Sequence, residues 1–468
     1  MDGNILKRKV RWVVRGFEQI YGQDYTQTYA GVCRSASSKI IIAIAAIFDL
    51  KIDQMDAITA FLNSSTDGDI FVELPPMWNE PGIDKFNDPV CKLQKVLYGL
   101  KQAPRLWQSH LQLKLSEIGF QPLGSDNCIY NQKSSGIILV TYVDDFLIIG
   151  KSRNKIDDLK VKLRSKFDLE DLGTANYFLG VRIIRDRPSK RIYLCQDAYV
   201  RQILERYSLD NSCTADCPSA AGSGIHMVKY EGKATPHEIS EYQSKIGSLL
   251  YLAVHTRPDI AYQCSSLSRF LVNPSPQHLK AANRVIQYLA GTTKLCLVYD
   301  GKLEPKLSKL HCYCDSDWGG CRDTRVSTSG NLFFLACGIV SASTKRQSNI
   351  SLSSTEAEYY ALGACVKELL WIQQLLREMQ YRGNDVVKTR LYSDSQSSLA
   401  LAANPELHQR TKHIDIKHHF LRKHIANGSV DVKYIPTKEM TADGLTKPLP
   451  AANHKRFVDM LHMEEFLK

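Results

Sequence analysis

The sequence has no apolar run long enough to cross a bilayer. Its longest uninterrupted run extends from Ile40 to Phe48, whereas a membrane-spanning helix needs about 20 predominantly apolar residues. No cationic, apolar and small-residue signal peptide opens the chain. We therefore expect an intracellular protein without a membrane partner, located in the cytoplasm with the nucleus as a second location.

The sequence also has no CxxC pair, internal repeat or low-complexity tract. Its 13 cysteines are scattered. Cys312 and Cys314 are two residues apart on a predicted strand, so their side chains would lie on the same face. No second cysteine pair is present to complete a metal site. Free thiols in a reducing compartment are therefore expected, and a disulfide framework or a zinc site is not.

The 468 residues leave room for about three domains. Sixty Lys and Arg against 49 Asp and Glu give a formal charge of +11, which favours a polyanionic partner. Basic residues are clustered near the N-terminus, at Lys7, Arg8, Lys9, Arg11 and Arg15, and in a later helix, at Lys412, Lys417, Arg422 and Lys423. Such clusters suit phosphate contacts, although a solvated surface explains each of them as well.

Residue periodicity predicts a chain in which helices and strands mix throughout. Residues 177–184 read as one strand, and the Ser, Ala, Gly and Thr between Cys213 and Pro236 indicate a linker. The predicted helices are Lys39 to Asp49, Lys155 to Phe167 and Ser354 to Met379, and two further segments, Ser240 to Phe270 and Pro276 to Leu289, are predicted to be largely helical. We divide the chain at 1–205, 206–305, 306–448 and a tail at 449–468.

Two adjacent acids, Asp144 and Asp145, lie inside the apolar segment 136–150. The β-branched flanks predict two short strands that meet at a tight turn carrying these acids. One alternative is an ordinary solvated turn, where Asp is common. The other is a cation site, because an unpaired buried charge costs several kcal/mol or more.

A third carboxylate, Asp56, ends the predicted strand that begins near Leu50. An acid at a strand end beside an Asp-Asp hairpin suits two-metal nucleotidyl transfer, in which the ions lie about 3.5 to 4 Å apart. Mg²⁺ prefers oxygen ligands and keeps several waters, so two or three carboxylates and substrate phosphates suffice to bind it.

A second set of acids lies at the ends of predicted elements in the last block. Its members are Asp315, Glu356, Asp394 and Asp443. Each has an ordinary alternative: Glu356 suits a capping box and Asp394 a helix N-cap. Asp317 and Glu358 compete with Asp315 and Glu356 for the same roles. We prefer Asp315 because it directly follows its strand.

Three motifs occur in a fixed order, at Gln54 to Asn63, Val96 to Trp107 and Tyr142 to Asp145. Together they resemble the reverse transcriptase of copia-type LTR retrotransposons, and the resemblance extends over nearly the whole chain. It implies a multidomain α+β and α/β fold: a right-hand polymerase with fingers, palm and a thumb-like segment, followed by an RNase H-like α/β domain. The run His408 to Ile416 resembles the copia-type RNase H.

The resemblance implies two active sites, each with two Mg²⁺ ions, or Mn²⁺ as an alternative. Asp56, Asp144 and Asp145 would be the catalytic metal ligands of the polymerase, with Asp145 the less direct one. Asp315, Glu356, Asp394 and Asp443 would be the catalytic metal ligands of the nuclease. Glu356 is preferred here because it follows Ser-Thr, as in the family motif.

The resemblance also implies nucleotide and nucleic-acid contacts. Phe61 matches the steric gate that fills the space of a ribose 2′-hydroxyl. The other expected nucleotide-binding residues are Lys9, Arg11, Gly99, Gln102, Pro104 and Tyr142. The expected nucleic-acid contacts are Tyr177, Gly180, Lys412 and His413. The histidines near His413 lie among Lys and Arg, which favours a helix facing nucleic acid over a zinc site.

We expect an RNA-directed DNA polymerase with a fused ribonuclease H that copies retrotransposon RNA. Its partners would be an RNA template, a DNA primer, the RNA–DNA hybrid, dNTPs and other products of the polyprotein, within a virus-like particle if the element is intact. The alternatives are an inactive remnant that only binds nucleic acid, and a host protein that reuses the fold for protein contacts.

The chain departs from the family pattern at Gly31, Ser64, Ala342 and Lys438. The family usually has proline, glycine and tryptophan at the first three positions, and many cellular RNases H carry histidine at the fourth. The start at Met1 lies where family members normally have a further strand upstream. With no protease or integrase motif, we expect either the C-terminal part of a longer polyprotein or a shortened copy.

Overall fold

The computed structural model describes two compact units. The first consists of Met1–Cys33 and Lys51–Ala175, and the second of Arg34–Leu50 and Asn176–Lys468. The structure describes residues 10–75, 78, 81, 88–209, 214–219, 227–302, 309–381, 389–403 and 415–466, with side chains from residue 420 in the last range. The expected multidomain fold of mixed helices and sheets is confirmed.

The elements of the described residues alternate between strand and helix along the chain. The strands are β1 (Lys51–Ala57), β2 (Phe71–Glu73), β3 (Val90–Lys92), β4 (Gln121–Pro122), β5 (Ile129–Gln132), β6 (Ile137–Tyr142), β7 (Asp145–Gly150), β8 (Leu169–Thr174), β9 (Tyr177–Phe178), β10 (Val181–Asp186), β11 (Arg191–Cys195), β12 (Leu295–Asp300), β13 (His311–Ser316), β14 (Thr328–Leu335), β15 (Gly338–Arg346), β16 (Thr389–Ser393), β17 (Val430–Tyr434) and β18 (Met463–Glu465). The α-helices are α1 (Ser35–Ile47), α2 (Ala103–Glu117), α3 (Arg153–Arg164), α4 (Asp197–Arg206), α5 (Pro236–His255), α6 (Ala261–Leu267), α7 (Pro276–Gly291), α8 (Ser354–Glu378), α9 (Gln396–Ala403), α10 (Asp415–Ala426) and α11 (Ala451–Met460).

The first unit is built on a six-stranded sheet in the order β4-β5-β6-β7-β1-β8. The central strands β6 and β7 are buried along almost their whole length, as their continuous apolar sequence predicts. Trp107 and Leu111 of α2 and Ile156 and Leu159 of α3 pack against this sheet in one core. A two-stranded sheet of β2 and β3 completes the strands described in this unit.

The first sheet of the second unit has the order β18-β12-β11-β10-β9. The predicted boundary at residue 205 differs from the division of the structure, because β9, β10 and β11 pair with one another and then with β12. The predicted tail also joins this sheet: β18 pairs with β12 in the register Leu297 to Met463. Residues 176–205 and 449–466 therefore belong to the second unit's architecture.

The other sheet of the second unit has the order β15-β14-β13-β16-β17. The first three strands form an antiparallel meander, and β16 and β17 add to it in parallel. The helix α8 connects β15 to β16 and buries residues along its whole length, including Ala361, Cys365 and Leu369. This is an α/β domain of the topology expected for the last block.

A helical cluster of the second unit brings together α4, α5, α6 and α7. The largely helical segment predicted from Ser240 to Phe270 consists of α5 and α6, separated at residues 256–260, where Arg257 and Asp259 form an ion pair at 2.7 Å. Both are about 1% exposed. Arg257 also donates to the carbonyl of Thr292, and the Tyr288 hydroxyl donates to Asp259 at 2.8 Å. This polar network joins α5 to α7 through the core.

Other predicted elements agree in kind and differ in their bounds. The predicted helix at Lys39 begins four residues earlier, at Ser35. The predicted single strand 177–184 is a hairpin, because Leu179 and Gly180 adopt φ of 50° and 71° between β9 and β10. Within 214–219 and 227–235, the described residues of the predicted linker form no helix or strand.

The structure contains no disulfide among the described cysteines. Among the described helices, none has the length and apolar character that would be needed to span a membrane.

We expect Asp259→Ala to lower the free energy of unfolding by about 3–5 kcal/mol, because it leaves the buried Arg257 guanidinium without its counter-charge. Glu464→Ala is the control, since Glu464 pairs with Arg191 at a position that is 47% exposed, and it should cost at most about 1 kcal/mol. Urea denaturation measures both. Equal losses in the two variants would contradict the role of the buried pair.

Candidate active sites

Three carboxylates of the second unit meet at one edge of its parallel strands. Asp315 lies near the end of β13 and Asp394 directly follows β16. The register pairs Tyr313 with Tyr392 in parallel, so the two acids lie at equivalent positions on neighbouring strands. Asp443, from the 3₁₀ helix Thr441–Leu445, joins them, and ligand oxygens of all three lie within 4.8 Å of one another.

A glycine on the neighbouring strand permits this approach. Gly330 of β14 pairs with Asp315. A Cβ at Gly330 would lie 2.8 Å from the Cβ of Leu445 and 3.1 Å from the carbonyl oxygen of Ala442. The absence of a side chain therefore lets the 3₁₀ helix that carries Asp443 pack directly on the strand.

The acids of this cluster lie close together, and the neighbouring positive charge does not balance their negative charges. Burial, and then the charge of Asp443, raise the pKa of Asp315 to about 7. Thr446 donates a hydrogen bond to Asp315, and Lys447 pairs with Asp443 at 2.8 Å. The Thr437 hydroxyl donates to Asp394 at 2.7 Å.

The two competing glutamates of α8 have different surroundings. Glu358 faces the cluster: burial, and then the charge of Asp315, raise its pKa to about 9. Its Oε1 accepts from the backbone N–H of Ser316 at 3.0 Å. Glu356, which the sequence analysis preferred, instead accepts from the backbone N–H of Leu352 at 2.7 Å, and Ser353 caps the same turn. Glu356 is thus occupied in capping the helix start.

Asp317, the competitor of Asp315, is occupied in a loop. It accepts hydrogen bonds from the backbone N–H groups of Thr328 and Gly320. Burial nevertheless raises its pKa to about 6. The sequence preference for Asp315 over Asp317 therefore agrees with the position of the cluster.

The donor set of the cluster fits a divalent cation. Within the described part of the chain, one set of three acidic, histidine or cysteine side chains has ligand atoms that all lie within 4.8 Å of one another. This set is Asp315, Asp394 and Asp443. Oε2 of Glu358 and Oδ1 of Asp443 are buried without a hydrogen-bond partner. A buried carboxylate oxygen without a partner is costly, and hard cations such as Mg²⁺ bind such oxygens.

The acids of the first unit lie at a hairpin, as expected. Strand β6 ends at Tyr142, β7 begins at Asp145, and Asp144 occupies the two-residue turn between them. Asp56 of β1 pairs directly with Asp145. All three acids are half-buried, and their oxygens do not all lie within 4.8 Å of one another.

Asp145 is restrained by a residue that the sequence analysis did not single out. Gln54 donates to Oδ1 of Asp145 at 3.1 Å. Burial raises the pKa of Asp145, the hydrogen bond from Gln54 opposes this, and the charges of Asp144 and Asp56 raise it further. The strand alternation of Gln54 and Asp56 on β1 is the signal that could have identified this contact.

The turn between the acids has a strained backbone. Val143 adopts a φ of 56°, which is costly for a β-branched residue. Its carbonyl accepts from the indole N–H of Trp107 at 2.7 Å. The hydrogen bond from α2 holds the turn in the conformation that presents Asp144.

An aromatic pair lies close to these acids. The rings of Phe61 and Tyr98 are 4.7 Å apart, and the guanidinium of Arg11 lies 4.7 Å from the centre of the Tyr98 ring. Burial is the largest cause that raises the pKa of Tyr98, followed by the charge of Asp144. Tyr98 was missed from the sequence, although its place before Gly99 in the second motif was a signal.

The predicted residues of the second motif have mostly structural surroundings. Gly99 adopts a φ of 97°, and a Cβ there would lie 2.0 Å from the carbonyl oxygen of Val14. The Gln102 side chain is fully buried and donates to the carbonyl of Asp24 at 2.9 Å. Pro104 lies exposed in the first turn of α2. Gln102 therefore fixes the segment before α2 from inside the core.

The other predicted nucleotide and nucleic-acid contacts lie in both units. Tyr142 is half-buried and pairs with Asp145 across the hairpin. In the second unit, Tyr177 is 50% exposed. At Gly180 a Cβ would lie 2.3 Å from the hydroxyl of Tyr251. The predicted contacts Lys9, Lys412 and His413 lie outside the described residues.

Comparisons with known proteins identify related sequences. The family described as reverse transcriptase (RNA-dependent DNA polymerase) matches residues 2–221. The Retrovirus-related Pol polyprotein from transposon TNT 1-94 of Nicotiana tabacum is 38% identical over 460 residues, 96% of this chain and 34% of that polyprotein. The putative transposon Ty5-1 protein of Saccharomyces cerevisiae is 34% identical over 320 residues, 67% of this chain and 100% of that protein.

This chain spans about a third of the plant Pol polyproteins that it matches. Among solved structures, that of the foamy viral protease-reverse transcriptase in complex with RNA/DNA hybrid aligns with 83% of this chain and 44% of that chain, at 11% identity and a TM-score of 0.42.

We expect Asp315→Asn to stabilise the metal-free protein by up to about 4 kcal/mol at pH 8, because each unit by which folding raises a carboxyl pKa costs about 1.4 kcal/mol once the group ionises. Since the folded pKa of Asp315 is about 7 and the ordinary value is 3.8, the cost is absent below pH 3.8 and complete above pH 7. The advantage of the variant should therefore grow between these values.

Urea denaturation in EDTA at pH 4 and pH 8 measures this difference. Asp431→Asn is the matched control, because Asp431 lies on β17 of the same sheet and pairs with Lys433 at 3.4 Å. It should not stabilise the protein. A destabilising effect of Asp315→Asn at pH 8 would contradict the electrostatic account.

Proposed function

Because this chain belongs to the reverse transcriptase family of copia-type retrotransposon Pol polyproteins, we propose that it is an RNA-directed DNA polymerase with a fused ribonuclease H. The observation that carries the proposal is the presence of a separate acid set in each unit, at Asp56 with Asp144 and Asp145, and at Asp315 with Asp394 and Asp443. Its substrates are dNTPs on a primed RNA template and the RNA of an RNA–DNA hybrid.

In the polymerase unit, Asp56 and Asp144 hold the divalent cations, and Asp145 is the less direct ligand. Its hydrogen bond from Gln54 keeps one carboxylate oxygen aligned toward β1. Bound Mg²⁺ or Mn²⁺ supplies activation of the attacking oxygen and stabilisation of charge on the phosphate. The strained Val143 fixes the turn so that Asp144 needs no rearrangement before the nucleotide binds.

The pair of Phe61 and Tyr98 forms a wall near the acids. We assign the selection of deoxynucleotides to the Phe61 ring, which Tyr98 supports from one side. Arg11, whose guanidinium lies over the Tyr98 ring, supplies positive charge for the triphosphate. The buried Gln102 acts on this pocket by positioning the backbone and not by contacting the nucleotide.

In the nuclease unit, Asp315, Asp394 and Asp443 hold the divalent cations, and Glu358 replaces Glu356 as the fourth carboxylate. Glu358 has a buried carboxylate oxygen without a hydrogen-bond partner, and the charge of Asp315 contributes to raising its pKa. Lys447 neutralises part of the charge on Asp443, which keeps the acids together before a cation binds. The chemistry is attack of water on an RNA phosphodiester.

Primer extension on an RNA template with Mg²⁺ or Mn²⁺ tests the polymerase. Asp144→Asn should lower the rate at least about 100-fold, because even the loss of a group that only supports a metal ligand costs 10–100-fold. The exposed Asp158→Asn on α3 is the control and should leave the rate unchanged. Hybrid binding that weakens with salt but supports no extension in the wild-type protein would favour the inactive remnant.

Cleavage of the RNA strand in a labelled hybrid tests the nuclease and its fourth ligand together. Glu358→Gln should lower cleavage at least about 100-fold, and Glu356→Gln should change it less than about threefold while costing about 1 kcal/mol of stability at the helix start. Both variants should retain primer extension, which serves as the internal control for folding. If Glu356→Gln lost more cleavage activity than Glu358→Gln, Glu356 would be the fourth carboxylate.

A further inference from the structure

A groove of about 880 Å³ lies between α8 and the strands β14 and β15 of the second unit. Its size falls in the range of ligand sites in proteins, roughly 300–1,000 Å³. Ser329 and Asn331 of β14, Ser343 of β15, and Lys367 and Trp371 of α8 are among the residues that line it. None of these residues has a role in either acid set.

The sheet register places this groove on a different face from Asp315. Asn331 pairs with both Cys314 and Ser343, so these three side chains share one face of the sheet. Asp315 pairs with Gly330 and points to the other face. On α8, Tyr360, Ala364, Lys367 and Trp371 recur every three or four residues and form one wall.

The floor of the groove contains an unsatisfied polar group. Asn331 is 6% exposed, and its Oδ1 is buried without a hydrogen-bond partner. Buried polar groups are nearly always paired in folded proteins. A ligand with a hydroxyl or N–H donor, placed in the groove, would supply the missing partner.

The rim of the groove is cationic. Four cationic side chains, Arg34, Lys345, Arg346 and Lys367, are exposed there, against the single half-buried carboxylate of Glu368. The Arg34 guanidinium stacks 4.5 Å from the centre of the Trp371 ring. A ligand that suits both floor and rim carries several negative charges and also hydrogen-bond donors.

We propose that this groove is a second nucleic-acid site, which binds the sugar-phosphate backbone of a single strand separately from both acid sets. The lysines of the rim contact phosphates, and Asn331 accepts a hydrogen bond from a sugar hydroxyl or a base. A strand with several phosphates spans the rim, whereas a mononucleotide or inorganic phosphate engages only part of it. The proposal does not depend on catalysis by either unit.

The charge of the rim is tested by fluorescence anisotropy with a labelled single-stranded RNA decamer in EDTA. The double variant Lys345→Glu with Lys367→Glu should weaken binding at least about 10-fold and reduce the slope of log affinity against log salt by about 1.4, since two phosphate contacts are lost. The control is Lys280→Glu with Lys455→Glu, two exposed lysines on α7 and α11. It should match the wild type.

The place of binding is tested by photo-crosslinking a 4-thiouridine decamer and identifying the attached peptides. Crosslinks should fall within residues 329–371 and disappear in the Lys345 and Lys367 double variant. Mononucleotides, inorganic phosphate and a poly-glutamate peptide should compete poorly. Crosslinks only elsewhere, or equal competition by any of these three anions, would overturn the proposal even if both enzymatic activities are present.

Asn331→Leu gives opposite effects on binding and stability if the unsatisfied amide serves a ligand. Binding of the decamer should weaken about 5-fold or more, while the midpoint of thermal unfolding should rise by about 2 °C, because an unpaired buried polar group is removed. Ser343→Ala, which removes only a hydroxyl across the groove, should leave the midpoint within about 1 °C. Unchanged binding by Asn331→Leu would refute the contact.

Discussion

The mutual repulsion of carboxylates is the constraint on which the second unit depends. Three acids come within 4.8 Å of one another at a position where burial already disfavours charge. The fold resists their separation by placing them on elements that cannot move apart independently: two paired parallel strands and a 3₁₀ helix packed against Gly330. The folding free energy of the surrounding sheet therefore offsets the electrostatic cost of bringing the three carboxylates together.

The first unit uses a different arrangement of the same chemistry. Asp56 and Asp145 face each other across two antiparallel strands, and Asp144 projects from a turn whose backbone is strained at Val143. These acids are only half-buried. The acids of the first unit are thus held by strand pairing and by the hydrogen bonds from Gln54 and Trp107, whereas those of the second unit are positioned by the packing of the core.

Much of the fold could be predicted from sequence where the signal was local. The apolar flanks of Asp144 and Asp145 indicated the hairpin, and the continuous helical pattern from Ser354 predicted α8 to within one residue of its observed end at Glu378. The single strand predicted for residues 177–184 was wrong because Leu179 and Gly180 form a turn with positive φ values, and Gly180 was the one local signal of it. Periodicity reports burial and not backbone direction.

The candidate sites showed the same limit. Strand ends located Asp315 and Asp394, because parallel strands bring such ends together. The choice between Glu356 and Glu358 depended on which way the first turn of α8 faces, and Ser353 and Leu352 determine that through capping bonds to Glu356. Gln102 could not be recognised as a core residue, since its partners Gln19 and Asp24 lie some 80 residues away in sequence.

The pairing of β18 with β12 has a consequence for the order in which this protein can fold as it is synthesised. Leu297 lies on β12, the second strand of its sheet, yet its partner on one side, Met463, is synthesised only after the whole of the other sheet of the second unit. At about 5–20 residues per second, the backbone groups on that edge of β12 stay unpaired for roughly 10 to 30 seconds. Because an unpaired strand edge is a template for pairing with other chains, the nascent protein is exposed to aggregation through β12 until β18 has been made.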